Sequence, residues 1–358
     1  MSRLLKVLAL LAALSIGVVG PAHALQIIPQ FDASITGDPN GAILQQTIRA
    51  VIAVYEANLT DNLTVKIKFE LMNTGLGRSA TAIQTNSYLS YRAALQAHAT
   101  SADDFTAITF LPMISVNPVD ADPNVFVKQS LGRLLGLPNP FPASLDSTIS
   151  LNTSLMNLQA DIAGFDPQKY SLYATVAHEL DEALGFGSRL DRGMTGAIQP
   201  EDLFRYDLTG ARSFTTNALA LAYFSLDGQN RLAQFNQLPE GDFGDWYSIG
   251  GQIPQVQDAF GTPGAHPDIG VEWRVLDAIG YTRSPGSSWV DFSFPTISNL
   301  NAGTFDLPFN SLVSALLFVP SGGTALIKSS NSTAVPLRIA RSTPMRLVAV
   351  NGTVHIGR

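Results

Sequence analysis

The stretch "YSLYATVAHELDEALGFGSRL", Tyr170 to Leu190, governs how this chain is read. Placed on a helix, His178 and Glu182 stand at i and i+4, one turn apart on the same face. Leu172, Val176, Leu180 and Leu184 share another face, fit to pack inward. Glu179 lies beside the His178–Glu182 pair, and Gly185 is placed as a helix stop. Two ligating side chains on successive turns can hold one cation, and a neighbouring carboxylate can take a proton from an activated water. The plain alternative is a surface helix whose acids, Glu179, Asp181 and Glu182, are simply solvated. Against it, His178 is one of four histidines beyond residue 24, with His98, His266 and His355. It also sits in an otherwise apolar window that closes with "ALGFG".

The first 24 residues do not read as part of the fold. Arg3 and Lys6 precede an apolar run from Val7 to Val19, and Ala22-His23-Ala24 follows. This is the layout of a signal peptide, and the run is short for a membrane span. The expectation is a secreted protein, extracellular or periplasmic, with no membrane span once the signal is removed. Loss of Arg3 and Lys6 takes the formal charge from −7 to −9, which argues against nucleic acid or anionic lipid as partner. The chain has no cysteine, so a metal would have to be held by His, Asp or Glu.

Along residues 25–284 the pattern mixes helices and strands. Ala42 to Ala57 carries apolar residues at helical spacing, and Leu63 to Leu71 alternates as a half-buried strand. Ser87 to Ala99 reads as a helix, Phe105 to Ile114 and Ser147 to Leu155 as strands, and the region around Val125 to Leu135 as a short helix. Gly270 to Tyr281 is one more helix. "TRSPGSS", Thr282 to Ser288, reads as a linker. Residues 285–358 then break into short apolar pieces separated by Gly, Pro, Asn and Ser, which predicts a small all-β domain. The fold class expected is α+β.

"AHELDEALGFGS" resembles the active-site segment of secreted bacterial zinc metalloproteases of the zincin type, in a metzincin-like subgroup with Glu at the second ligand position. The resemblance covers most of residues 31 to 281 and includes "STISLN", "EDLFRYDLTGARSF", "AYFSLDGQNRLAQFN", "GDFGDW" and "LDAIGY". It implies a zincin-like catalytic domain over 25–284 that binds Zn2+ and hydrolyses peptide bonds of a protein or peptide substrate with a metal-activated water. By the same resemblance His178 and Glu182 are metal ligands and Glu179 is the catalytic general base. A glutamate ligand makes the ion a weaker Lewis acid, which implies a slower enzyme or a higher pH optimum. The "ISLN" strand is expected to offer a sheet edge to an extended peptide.

Three protein ligands are expected in a catalytic zinc site. Metzincins place the third six residues after the second, and here that residue is Ser188, a poor ligand. His266, in the Gly/Pro-rich "GTPGAHPD", and Asp191, just past the turn, stand level as alternatives, with Asp202 and Asp207 as further options that could instead orient ligands. Met194 and Met345 are both ill-placed for a methionine turn, so a metzincin proper is not assigned. "DADPN" (Asp120–Asn124) and "GDFGD" (Gly241–Asp245) are turns that could take Ca2+. Trp246 and Tyr247 are read as packing residues first and cleft residues second. A serine-nucleophile elbow and a phosphate loop are both missing. The competing expectation is a catalytically inactive secreted binding protein with a degenerate metal site, acting through protein or glycan contacts.

Overall fold

A computed structural model describes residues 25–140, 142–160, 164–192, 198–249, 251–295, 303–304, 307–328, 332–333, 344–350 and 354–357. The segment 1–24, expected to be a signal peptide, and the strand expected over 335–342 lie outside them. Eight helices and several small sheets are found among the described residues, a mixed α and β architecture.

The chain enters as strand β1 (Gln26–Phe31) and helices α1 (Ala33–Thr36) and α2 (Gly41–Asn58). α2 buries Leu44, Ile48, Val51, Ile52 and Tyr55, the face its spacing predicts. β2 (Thr64–Leu71) alternates as expected: Val65, Ile67 and Phe69 are fully buried. Its outward Lys68 pairs with Glu70 at 2.7 Å and with Asp32 at 3.1 Å. β3 (Gly77–Thr81) and β4 (Ile83–Ser87) follow, then α3 (Tyr88–His98) and α4 (Ala102–Thr109). β5 (Asn124–Lys128), α5 (Gln129–Leu134) and β6 (Ser147–Leu151) lead to α6 (Leu172–Leu184).

The main sheet has the order β1-β2-β6-β3. β1, β2 and β6 are parallel, and β3 runs antiparallel to β6, from Gly77 opposite Leu151 to Thr81 opposite Ser147. The "ISLN" strand therefore cannot offer an edge. β6 is hydrogen-bonded on both sides, and the sheet's edge strands are β1 and β3. α6 packs against β3, β6 and α2.

Two local readings are corrected. Phe105 to Ile114 is not a strand but helix α4 followed by a loop. Ser101 Oγ accepts the Asp104 N–H at 2.9 Å and the Asp104 carboxylate accepts the Ser101 N–H at 2.8 Å, a reciprocal cap that sets a helical start. The expected helix around Val125 to Leu135 is a strand first: Val125 and Val127 alternate inward as β5 pairs antiparallel with β4, and the helix begins at Gln129.

The C-terminal region is not all-β. Ser287–Val290, Thr324–Lys328 and Arg346–Val350 form a parallel three-stranded sheet. Parallel neighbours require a crossover, and helix α8 (Leu312–Phe318) lies in it, where "VSALLFV" suggests a strand. Val290, Phe309, Leu312, Leu316 and Ile327 make a small core of their own. Trp289, Leu326 and Val350 join the large core instead. The linker is tied to the end of α2 by Thr60 N–H to Thr282 O (2.9 Å) and Ser284 N–H to Asn58 O (2.6 Å).

Asp146 locks the entry to β6. Its carboxylate accepts the Lys66 N–H at 2.8 Å, the Gln129 amide at 3.1 Å and both terminal nitrogens of Arg133. Burial works against the charge, but Arg133, Lys66 N–H and Gln129 outweigh it and hold the carboxyl below its usual range. A carboxyl lowered on folding contributes stability above its unfolded value, near pH 4, and loses it as pH falls through the folded value. Asp146→Asn is expected to cost about 2 kcal/mol at pH 7, since Arg133 is partly exposed. The gap between the urea midpoints of the two proteins should close below about pH 4. A gap that is constant from pH 7 to pH 3 would refute the assignment.

Candidate metal centre

α6 is set by its ends. Ser171 Oγ caps it by accepting the Ala174 N–H at 3.1 Å. At the other end, a side chain at Gly185 would collide with Ile279 on helix α7 (Glu272–Ile279). Its φ of 173° is extended, so the glycine is needed for close helix packing rather than for a left-handed turn. On the inner face, Tyr55 Oη lies 2.8 Å from both the Ala177 carbonyl and Asp181 Oδ1. Burial, then the nearby Glu272, push the Asp181 carboxyl well above its usual range.

The outward face carries His178 and Glu182, each less than one-fifth exposed. His178 Nε2 is 3.8 Å from Glu182 Oε1 and 3.7 Å from Asp245 Oδ2. One donor atom from each of the three residues lies within 4.8 Å of the others. Two ligands about 2.1 Å from a tetrahedral cation stand roughly 3.4 Å apart, so a slight contraction of this triangle suits a metal ion. Each donor is aimed by a neighbour. His178 Nδ1 lies 3.0 Å from Val256 O. A carbonyl can only accept, so Nδ1 holds a proton and Nε2 is the ring nitrogen that faces the triangle. Ser79 Oγ donates to Glu182 Oε2 at 2.6 Å, leaving Oε1 toward the site. Gln257 Nε2 donates to Asp245 Oδ1 at 2.8 Å.

Glu179 is buried next to this triangle. Burial, and after it the charge and hydrogen bond of Glu182, hold its carboxyl well above the usual range. Gly77 of β3 passes directly over it, and any side chain there would collide with Glu179 Oε1. The residues line a cleft of about 740 Å³. One wall is β3, with Gly77, Arg78 and Ser79; another is formed by Glu240 to Asp242, Gln255, Val256 and Asp258 to Phe260. Asp258, whose carboxyl burial pushes up to about 6, lines the same space.

Asp245 was not among the expected ligands. It lies in "GDFGD", a turn singled out only for Ca2+, and what places it comes from distant segments. The Asn236 N–H donates to Asp245 O at 2.7 Å. Arg205, fully buried, donates to Phe243 O at 2.6 Å and to Asn236 O at 3.1 Å. Trp246 next to it is fully buried among Phe186, Phe224 and Phe235, so it is an anchor and not a cleft wall.

Among the candidates whose side chains are described, none other joins the triangle. His266 Nδ1 pairs with Ser171 Oγ at 2.8 Å, and its ring packs on Tyr173 and Phe165, so it steadies the α6 cap. Asp191 falls in the short turn Arg189–Arg192, and its side chain lies outside the described residues. Ser188 is buried and donates to Asp202 Oδ1 at 2.6 Å. Asp202 also accepts the Arg189 and Gln199 N–H groups, so it fixes the loop after α6. Asp207 closes an exposed turn with Thr209 and Ala211. In the Asp120–Asn124 turn, Asp120 accepts from Asn117 and Asp122, and Asp122 accepts from Asn124. Comparison of the chain with protein families, with curated proteins and with solved structures finds no match.

Proposed function

We propose that this protein is an exported, zincin-like, zinc-dependent endopeptidase. The observation that carries the reading is the His178, Glu182 and Asp245 triangle with Glu179 buried at its side, in an open cleft walled by an edge strand. An imidazole donor disfavours Ca2+ and Mg2+, and the two carboxylates beside it suit Zn2+ or a related transition metal. When bound, the metal would polarise a substrate carbonyl and acidify water.

The chain's own groups supply the rest. Glu179, beside the triangle, would accept the proton of the attacking water and return it to the leaving amine. β3 offers its unpaired edge to an extended peptide through main-chain hydrogen bonds. Gly77 allows that strand to lie against Glu179. A non-catalytic binding protein would be favoured by an incomplete ligand set, and Asp245 supports the enzyme reading over it.

The test is metal content together with casein hydrolysis by the purified protein. About one zinc per chain and hydrolysis abolished by a chelator are expected. A protein that carries no transition metal and shows no chelator-sensitive hydrolysis would sink the proposal. No helix of the described residues is long and apolar enough to cross a membrane, and export itself is checked by finding the mature N-terminus at Leu25 outside the cytoplasm.

A further inference from the structure

We infer that Gln257 is a positioning residue of the cation site and acts through Asp245; the inference rests on the metal reading above. Gln257 is fully buried. One amide hydrogen goes to Asp245 Oδ1 at 2.8 Å, and the same nitrogen lies 3.2 Å from His178 Nε2. That places the amide beside the imidazole nitrogen that faces the triangle. The imidazole itself is 3.7 Å from Asp245 and 3.8 Å from Glu182, beyond hydrogen-bond reach of either. The amide thus spans the gap between two of the three donors. It engages one oxygen of Asp245 and leaves Oδ2 facing the triangle.

The rest of the residue is built to hold that amide still. The Gln257 N–H donates to Glu272 Oε1 at 3.1 Å, and Gln257 O accepts the Trp246 N–H at 2.8 Å. Trp246 directly follows Asp245, and its indole N–H reaches the same Glu272 oxygen at 3.0 Å. The segments carrying Asp245 and Gln257 are therefore fixed to one another and to α7. By contrast, Gln257 Oε1 is buried and makes no hydrogen bond. An apolar side chain of like size would avoid that unmet acceptor, so the use of glutamine here lies in its N–H groups.

The test measures zinc affinity by competition with a chelating dye, and the d–d absorption of the Co2+-substituted protein. Gln257→Met keeps the volume and removes the donors; it is expected to weaken zinc binding about 10- to 100-fold and to alter the Co2+ spectrum. Gln257→Leu serves if the methionine variant does not fold. In an Asp245→Asn background the same substitution should cost less than about threefold, because the residue it acts through is already changed. Equal costs in both backgrounds, or no cost in either, would overturn the inference. A wild-type protein that binds no zinc would instead overturn the metal reading and this inference with it.

Discussion

Glu179→Gln is expected to lower casein hydrolysis by about 10²- to 10⁴-fold, the range a positioned general base contributes. Zinc affinity should change little, because Glu179 is not one of the three donors. The substitution keeps the shape under Gly77, where any added atom would collide. It also replaces a carboxyl whose charge is opposed by burial and by Glu182 with a neutral amide. The midpoint of thermal unfolding should therefore hold or rise. Loss of activity together with a held midpoint and held zinc content separates a chemical role from a folding one. Hydrolysis that is retained, and still sensitive to a chelator, would mean that another group moves the proton.

Much of this arrangement was legible because it is local. The helix from Leu172 to Leu184 carries its cap, its apolar face and its candidate ligand pair within one segment, so period and spacing suffice to read it. The same holds for α2 and β2. Asp245 was not legible, because nothing in "GDFGD" distinguishes a turn from a ligand. Its place is decided by buried Arg205, by the Trp246 anchor and by Gln257, all contributed from elsewhere in the chain. Phe105 to Ile114 misled for a related reason. Its apolar and β-branched residues suit a strand, yet Ser101 and Asp104 outside that window set a helix, and Phe105, Phe110 and Met113 remain exposed. "ISLN" reads correctly as a strand, but whether a strand is interior or edge depends on which partners reach it. "VSALLFV" is a helix because two parallel strands need a crossover between them.

Glu272→Ala is expected to destabilise the protein by about 3–5 kcal/mol, among the largest effects a single substitution can have. Glu272 is fully buried at the start of α7. Its Oε1 accepts the Trp246 indole N–H at 3.0 Å and the Gln257 N–H at 3.1 Å, and its Oε2 accepts the Gly270 N–H at 2.7 Å. Alanine would leave these N–H groups buried with no acceptor, and each such orphan costs about 1–3 kcal/mol before any relaxation. Glu272→Gln keeps the shape and one acceptor oxygen, so it should lose only about half as much. The two losses are read from urea midpoints at constant slope. The same variants should bind zinc more weakly, because the anchored groups are Trp246, next to Asp245, and Gln257 itself. Full zinc affinity in a destabilised Glu272→Ala protein would show that Glu272 serves the fold alone. A loss below about 1 kcal/mol would show that the three donors find other partners, and that the link from α7 to the site is not as drawn.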